Sequence, residues 1–136
     1  MIYVLLPGIL QQNIYQKFIC KNVHVKVNDK ENKYFNSIKK EVLELHIAHN
    51  EGNYFCSKDE LKSLKDNSQI AVTYCDENGK ESEEFNPNGA LNNIAGIFNK
   101  NKNILGMMPH PERMIDKYLS GKDGNFFFEN LIENLK

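Results

Sequence analysis

The sequence has no tryptophan, only three cysteines in 136 residues, and Arg113 as its single arginine. An odd number of cysteines without a C-x-x-C pair argues against a disulfide framework and fits a reducing compartment. The single arginine and a net charge of −1 disfavour a nucleic-acid or membrane-surface binder, because such proteins usually carry a basic excess. No apolar run approaches the roughly 20 residues of a membrane span, and no signal peptide is visible. These absences predict a cytoplasmic protein.

The remaining composition is that of an ordinary folded domain. Hydrophobic residues make up 40% of the chain and charged residues 26%, and the length suits a single domain over 1–136. Alternating or β-rich patterns predict strands over 17–27 (with a bulge near Lys21-Asn22), 42–48, 69–74, 94–99 and 104–108.

Two helices are also predicted. The capping box that begins at Ser57 and ends at Glu60 starts a short helix. Asp123 is expected to cap a final helix, whose apolar stripe comprises Phe127, Phe128, Leu131, Ile132 and Leu135. Strands with few helices indicate an α/β or α+β fold.

The segment GMMPHPER (106–113) holds the main candidate for chemistry. The proline that follows each of them keeps Met108 and His110 out of the α region, and residues two apart in an extended chain face the same side. His110 and Glu112 are therefore predicted to point into one site. A carboxylate that accepts the Nδ1 proton of a histidine leaves Nε2 free to act as a general base. The alternative is a surface turn with an incidental salt bridge, and a His-x-Glu pattern alone does not decide between the two.

A base of this kind normally activates a serine or cysteine nucleophile. No cysteine here lies in a Gly-x-Cys-x-Gly turn, the strand-to-helix elbow that exposes such a residue. Cys20 falls within a predicted strand, Cys56 follows an apolar pair, and Cys75 ends a strand. All three are expected to be buried structural residues. The sequence thus supplies part of a catalytic dyad or triad without its nucleophile.

A second polar segment, 47–54, interrupts a strand with a glycine-containing loop, where binding groups are often placed. His49 in this loop is either a ligand contact or a hydrogen-bonded loop anchor. A zinc site is disfavoured because no ligands recur at C-x₂-C or H-x₃-H spacing among His46, His49, Cys56 and Cys75. His46 and His49 should also face opposite sides of the strand. We expect no metal site.

Three segments together resemble one protein family. IAHNEGNYFC (47–56), NPNGALNNIAGIFN (86–99) and ILGMMPHPER (104–113) occur in the order and at the intervals seen in the C-terminal half of the glutaminase subunit of phosphoribosylformylglycinamidine synthase, a class I glutamine amidotransferase. LLPG (5–8) and KFICKNVHVKV (17–27) match the same family ahead of them. The combination of GMMPHPER with AHNEGNY is specific to this subunit rather than to amidotransferases in general.

The resemblance implies an α/β, flavodoxin-like amidotransferase fold and a glutaminase activity. In the family, a cysteine on the elbow attacks glutamine, a histidine activates the cysteine, and a glutamate orients the histidine. The ammonia passes to a synthetase subunit, which uses ATP to convert formylglycinamide ribonucleotide to the amidine in purine biosynthesis. Carried over to this sequence, the histidine is His110, the glutamate is Glu112, and His49 lies beside the glutamine pocket.

The resemblance also implies partners. These are the synthetase subunit and its small accessory subunit, with ATP and magnesium bound by the synthetase. No cofactor is expected in this chain, which has no G-x-x-x-x-G-K-[ST] phosphate loop.

One departure from the family is large. The family's elbow, its first strands and part of its oxyanion hole precede the LLPG segment, whereas here Met1 falls inside or just after the elbow's helix. The expectation is therefore an incomplete domain, the C-terminal part of one amidotransferase domain over 1–136, inactive alone. The alternative is a non-enzymatic remnant or split-gene half that binds only the synthetase or a complementary fragment. A third interpretation, an unrelated small β-rich binding domain, requires the segment matches to be coincidental.

Overall fold

The computed structural model describes residues 5–118 and 121–136, and the expectation for Met1 lies outside these residues. In the described part of the chain the strands are β1 (Ile9–Gln11), β2 (Ile19–Val27), β3 (Val42–His49), β4 (Asn53–Phe55), β5 (Ile70–Cys75), β6 (Ile94–Phe98) and β7 (Leu105–Met107). The α-helices are α1 (Lys58–Asp66) and α2 (Asp123–Leu135), and short 3₁₀ turns cover Glu83–Phe85, Leu91–Asn93 and Pro111–Arg113. None of the helices described is long and apolar enough to cross a bilayer.

A five-stranded sheet in the order β3-β2-β5-β6-β7 forms the centre of the fold, and β1 pairs with β4 in a separate two-stranded sheet. Every pairing between these described strands is antiparallel. β3 and β7 are the two edges in that order, yet His110, just beyond β7, makes a backbone bridge with His46 in β3. The sheet therefore curls until its edges meet at His110, which fixes the position of the predicted site.

The alternation in β3 explains its place over the core. Leu43, Leu45 and Ile47 are each at most 1% exposed, while Glu44 and His46 point to the other face. Apolar side chains of this size stabilise a fold by roughly 1.5–3 kcal/mol each when fully buried. The strand predicted over 42–48 is confirmed.

The bulge predicted near Lys21-Asn22 is wrong. β2 and β3 pair without interruption from Ile19 opposite His49 to Lys26 opposite Val42. Phe18 and Cys20 appeared to break the alternation because they belong to the opposite, exposed face. The pairing register is therefore unbroken, with the exposed Lys21 on the same face as Ile19 and Val23, and β2 needs no extra residue.

The helix predicted after Ser57 is confirmed in detail. The Ser57 side chain accepts a hydrogen bond from the Glu60 N–H at 3.2 Å, and the Glu60 carboxylate accepts one from the Ser57 N–H at 2.8 Å. These reciprocal bonds satisfy two backbone donors that a helix start otherwise leaves free. Leu64 anchors the helix in the core with 1% exposure.

The cap predicted at Asp123 is wrong, because Lys122 occupies the cap position and Asp123 is the first helical residue. Its carboxylate instead accepts hydrogen bonds from Lys40 Nζ at 2.8 Å and from the Glu44 N–H at 3.0 Å. The buried carboxylate thereby fastens α2 to the free edge of β3.

The apolar stripe predicted for α2 holds only in its first half. Phe127 packs on Tyr34 and Phe35 with ring centroids 6.4 and 6.1 Å away. Ile132 and Leu135, by contrast, are 58% and 86% exposed. Other exposed apolar side chains lie in the segment before β2, namely Leu5, Ile9, Leu10, Ile14, Tyr15 and Phe18.

Candidate active site

Two prolines and one backbone hydrogen bond fix the position of His110. Its φ and ψ of −103° and 92° are extended, as expected of a residue before proline. Pro111 then begins the 3₁₀ turn, at a position where its missing N–H costs nothing. The His110 N–H donates to the carbonyl of His46 at 2.7 Å. The histidine is therefore held on a constrained backbone rather than on a free loop.

The predicted convergence of His110 and Glu112 is confirmed. Their Nδ1 and Oε1 atoms lie 2.7 Å apart, and the two side chains are 34% and 56% exposed. Because an ionised carboxylate can only accept, the proton of neutral His110 sits on Nδ1 and leaves a lone pair on Nε2. The geometry is that of an imidazole oriented to accept a proton.

The pKa of the Glu112 carboxyl is lowered from its ordinary value. Partial burial opposes this shift, but hydrogen bonds from its own backbone and from His110, with the charges of His110 and Arg113, outweigh it. Glu112 is therefore ionised at neutral pH and able to stabilise a protonated His110 ring.

His49 is buried, with 7% exposure, on the core side of β3. Its Nε2 lies 3.3 Å from the Asn88 amide nitrogen, and that nitrogen also donates to the Tyr74 hydroxyl at 3.2 Å. Burial lowers the pKa of His49; its own backbone carbonyl opposes this effect, and the nearby His110 adds to it. These contacts are those of a loop anchor, while a place beside a glutamine pocket stays a prediction. His46 and His49 face opposite sides, as predicted.

The loop around His49 depends on Asn13, which sequence analysis missed, and on Gly52, the glycine of the 47–54 segment. The Asn13 side chain donates to the His49 carbonyl and accepts from the Gly52 N–H, at 2.8 and 2.9 Å. A Cβ at Gly52 would lie 2.3 Å from the His49 ring, so any other residue there would force the buried ring to shift. Asn13 is 1% exposed. No local sequence pattern predicts the role of Asn13, because its hydrogen-bond partners are distant in sequence.

The cysteine predictions hold for two of the three. Cys56 and Cys75 are buried, and burial is the main cause that raises the pKa of both thiols, that of Cys75 to about 11. The burial predicted for Cys20 is wrong: it is exposed, because it lies on the outer face of β2. In the described residues no cysteine or serine makes a hydrogen bond with the His110 ring. The described part also contains no group of three or more His, Cys, Asp or Glu side chains that could hold a metal.

An apolar groove of about 320 Å³ runs beside β6 and β7, close to this site. Its lining includes Leu6, Tyr54, Gly96, Met107 and Met108. Gly106 also belongs to the wall, where Leu6 packs so closely that a Cβ would lie 2.3 Å from its side chain. The segment that carries His110 is thus bordered by an open apolar surface.

The structure thus combines a curled antiparallel sheet with a His–Glu pair beside an apolar groove. The sequence matches the family of CobB/CobQ-like glutamine amidotransferase domains over residues 7–122. The match spans most of the chain, and the chain belongs to this family. The α/β amidotransferase fold inferred from the sequence is confirmed.

The chain is also similar in sequence to individual proteins. The chain is 66% identical over 132 residues to phosphoribosylformylglycinamidine synthase subunit PurQ of Pelagibacter ubique strain HTCC1062, and it covers 58% of that protein. It is 41% identical over 131 residues to the subunit of the same name from Aquifex aeolicus strain VF5, again covering 58%.

A solved structure, that of PurLQS from Thermotoga maritima, matches with a TM-score of 0.78 and 32% identity over 97% of this chain and 55% of that chain. The resemblance to this subunit family is confirmed. The chain spans little more than half the length of the relatives it matches.

Proposed function

We propose that this chain supplies the acid–base part of a glutaminase that feeds ammonia to phosphoribosylformylglycinamidine synthase. His110 is the general base and Glu112 the residue that orients it. The attacking cysteine is supplied by polypeptide other than these 136 residues, since no Gly-x-Cys-x-Gly elbow occurs in the sequence. The observation that carries the proposal is the 2.7 Å contact between His110 Nδ1 and Glu112 Oε1, made on a constrained backbone within a domain of this family.

In this proposal His110 acts twice. Its Nε2 takes the proton of the cysteine thiol, and the thiolate sulfur attacks the side-chain amide carbon of glutamine. The protonated ring then gives its proton to the departing nitrogen, which leaves as ammonia, and a glutamyl thioester remains for water to hydrolyse. Glu112 stabilises the charged ring during both transfers. His49 holds the neighbouring loop and borders the glutamine pocket.

The wider setting follows from the same resemblance. The ammonia passes to a synthetase subunit that binds ATP and magnesium and converts formylglycinamide ribonucleotide to the amidine. A small accessory subunit completes the assembly, which works in the cytoplasm. The PurQ and PurLQS names of the similar proteins support this setting.

A non-enzymatic role is the second candidate, and one observation favours it. Exposed apolar side chains gather in the segment before β2, including Ile9, Leu10, Tyr15 and Phe18, each at least half exposed. Surfaces of this kind usually contact another protein segment. In this alternative the chain binds only the synthetase or a complementary fragment and turns over no glutamine.

A chimera separates the two candidates. The 132 matching residues of the Pelagibacter ubique relative are replaced by this chain, and glutamine-dependent ammonia release is measured with the synthetase present. The enzymatic proposal predicts release within about tenfold of the unmodified relative, because His110 and Glu112 are transferred intact. A folded chimera that binds the synthetase and releases no ammonia would support the non-enzymatic candidate.

A further inference from the structure

A second histidine-centred cluster lies on the exposed face of β2 and β3. Cys20 Sγ lies 3.3 Å from Nε2 of His46, and His46 Nδ1 lies 2.9 Å from Asn22 Oδ1. This cluster shares no side chain with the His110–Glu112 pair. Its cysteine is therefore not a lone thiol, since it faces the ring of a histidine that has its own orienting partner.

The pairing register of β2 and β3 places Cys20, Asn22 and His46 next to one another. Cys20 lies opposite Ala48, and Asn22 lies opposite His46, so His46 is the diagonal neighbour of the thiol. Diagonal side chains on one face of an antiparallel pair are within reach of long or aromatic residues. The methyl group of Ala48 is too small to cover the sulfur, and Cys20 stays exposed.

The hydrogen bonds of Asn22 determine which nitrogen of His46 carries the proton. Its amide nitrogen donates to Glu44 Oε1 at 3.2 Å, so its carbonyl oxygen is the atom that faces His46 Nδ1. An amide oxygen can only accept, and Nδ1 must therefore be the protonated nitrogen. The lone pair of Nε2 consequently faces the Cys20 thiol, as the removal of a thiol proton requires.

We propose that Cys20 is a reactive thiol that exchanges with small disulfides such as glutathione disulfide, with His46 as its base. His46 Nε2 takes the thiol proton, and the Cys20 sulfur forms a bond with one sulfur of the disulfide. The original S–S bond breaks, and its electron pair leaves on the second sulfur, which takes up a proton. Cys20 is oxidised to a mixed disulfide, and one small thiol is released. The inference does not depend on the proposed glutaminase role.

The first test compares the three thiols of the 136-residue chain. Reaction with 5,5′-dithiobis(2-nitrobenzoate) at pH 7 should titrate one thiol quickly and two slowly, because Cys56 and Cys75 are buried. Incubation with glutathione disulfide followed by peptide mass spectrometry should place the adduct on Cys20. An adduct on another cysteine, or none on Cys20, overturns the proposal.

The second test measures whether His46 accelerates the reaction of the Cys20 thiol. His46→Gln should slow the reaction of Cys20 about tenfold at pH 7, since an unassisted thiol is only a few per cent thiolate there. His24→Gln is the matched control: His24 lies on the same face of β2, further from the thiol, opposite Glu44. Equal rates in the two variants mean that Cys20 is merely exposed, and the proposal fails.

The reaction rates of the buried thiols Cys56 and Cys75 show, in the same sample, whether a variant is folded. If His46→Gln also makes Cys56 and Cys75 react quickly, the variant has lost its fold and Asn22→Ala replaces it. Asn22→Ala removes the group that orients the ring and keeps the base, so it should slow Cys20 by a smaller factor. An unchanged rate in Asn22→Ala with both buried thiols protected contradicts the proposed arrangement.

Discussion

Two histidines of this protein are joined by a backbone hydrogen bond and oriented in the same way by different partners. The His110 N–H donates to the His46 carbonyl at 2.7 Å. Nδ1 of His110 lies 2.7 Å from the carboxylate of Glu112, and Nδ1 of His46 lies 2.9 Å from the amide oxygen of Asn22. Both arrangements leave Nε2 unprotonated, and among the described residues a thiol faces Nε2 of His46 but makes no hydrogen bond with His110.

The difference lies in charge. A carboxylate stabilises the protonated ring through its negative charge, whereas an amide oxygen fixes the tautomer without adding charge. His110 is therefore suited to hold a proton between two steps of a reaction, while His46 is suited to take one from an adjacent thiol. The backbone hydrogen bond between the two residues fixes the positions of the rings. The side-chain partner, Glu112 or Asn22, determines whether the protonated ring is stabilised by charge.

Replacing the two histidines separately is the strongest test of the different roles assigned to His110 and His46. In the Pelagibacter ubique chimera, His110→Ala should lower kcat/KM for glutamine by about 10³-fold or more, because the base is lost. His46→Ala should change it by less than about threefold, since the His46 group that bonds to His110 is its backbone carbonyl, which the substitution keeps. Comparable losses in ammonia release from both variants would show that the two histidines form one functional unit.

Replacing the two carboxylates tests the role of charge. Glu112→Gln in the chimera should reduce kcat/KM by about 10- to 100-fold, less than the loss of His110, because the ring remains and only its charged partner is removed. Glu44→Gln is the matched control, because the Glu44 carboxylate accepts a hydrogen bond from Asn22 on the outer face of the sheet and orients neither His110 nor Glu112. If ammonia release tolerates Glu112→Gln as well as Glu44→Gln, the assigned role of Glu112 is wrong.

The His49 loop gives a prediction about stability. Gly52→Ala should lower the free energy of unfolding by about 1–3 kcal/mol, because the new Cβ would overlap the buried His49 ring. Urea denaturation checks the value. Glu51→Ala in the same loop is the control, since Glu51 is exposed and should cost less than about 0.5 kcal/mol. A Gly52→Ala protein as stable as the control would mean that the loop packs more loosely than described.

The smallest expected effect is a pH dependence at His49. Burial lowers the pKa of this histidine below its ordinary 6.5, so the unfolded chain binds a proton more readily than the folded one. Its contribution to stability is therefore complete above pH 6.5 and is lost as the pH falls towards the folded pKa. His49→Gln should flatten the stability curve of the unmodified chain between pH 7.5 and about 5. A His49→Gln curve parallel to that of the unmodified chain contradicts this account.

Local patterns predicted much of this structure because the governing contacts are local. The capping box at Ser57 and the alternation in β3 both depend on residues within a few positions of one another. The His110–Glu112 contact also follows from two prolines and a spacing of two residues. In each case, neighbouring residues suffice to define the geometry.

Other features depend on contacts between distant segments. Asp123 has the residue type of a cap, but Lys40 and the edge of β3 compete for its carboxylate. The exposure of Cys20 follows from the phase of β2, which is set by its pairing with β3. Asn13 reaches the His49 loop across 36 positions of sequence. The curl that joins His46 to His110 is likewise a property of the whole sheet.

The central claim is that the base lies in this chain and the nucleophile does not. It is tested most directly by measuring ammonia release from glutamine by the 136-residue chain alone, beside the Pelagibacter ubique chimera. The account predicts background release from the chain, turnover by the chimera, and loss of that turnover when the chimera's elbow cysteine is changed to serine. Ammonia release by the isolated chain that disappears in His110→Ala would contradict it, because the nucleophile would then lie within these residues.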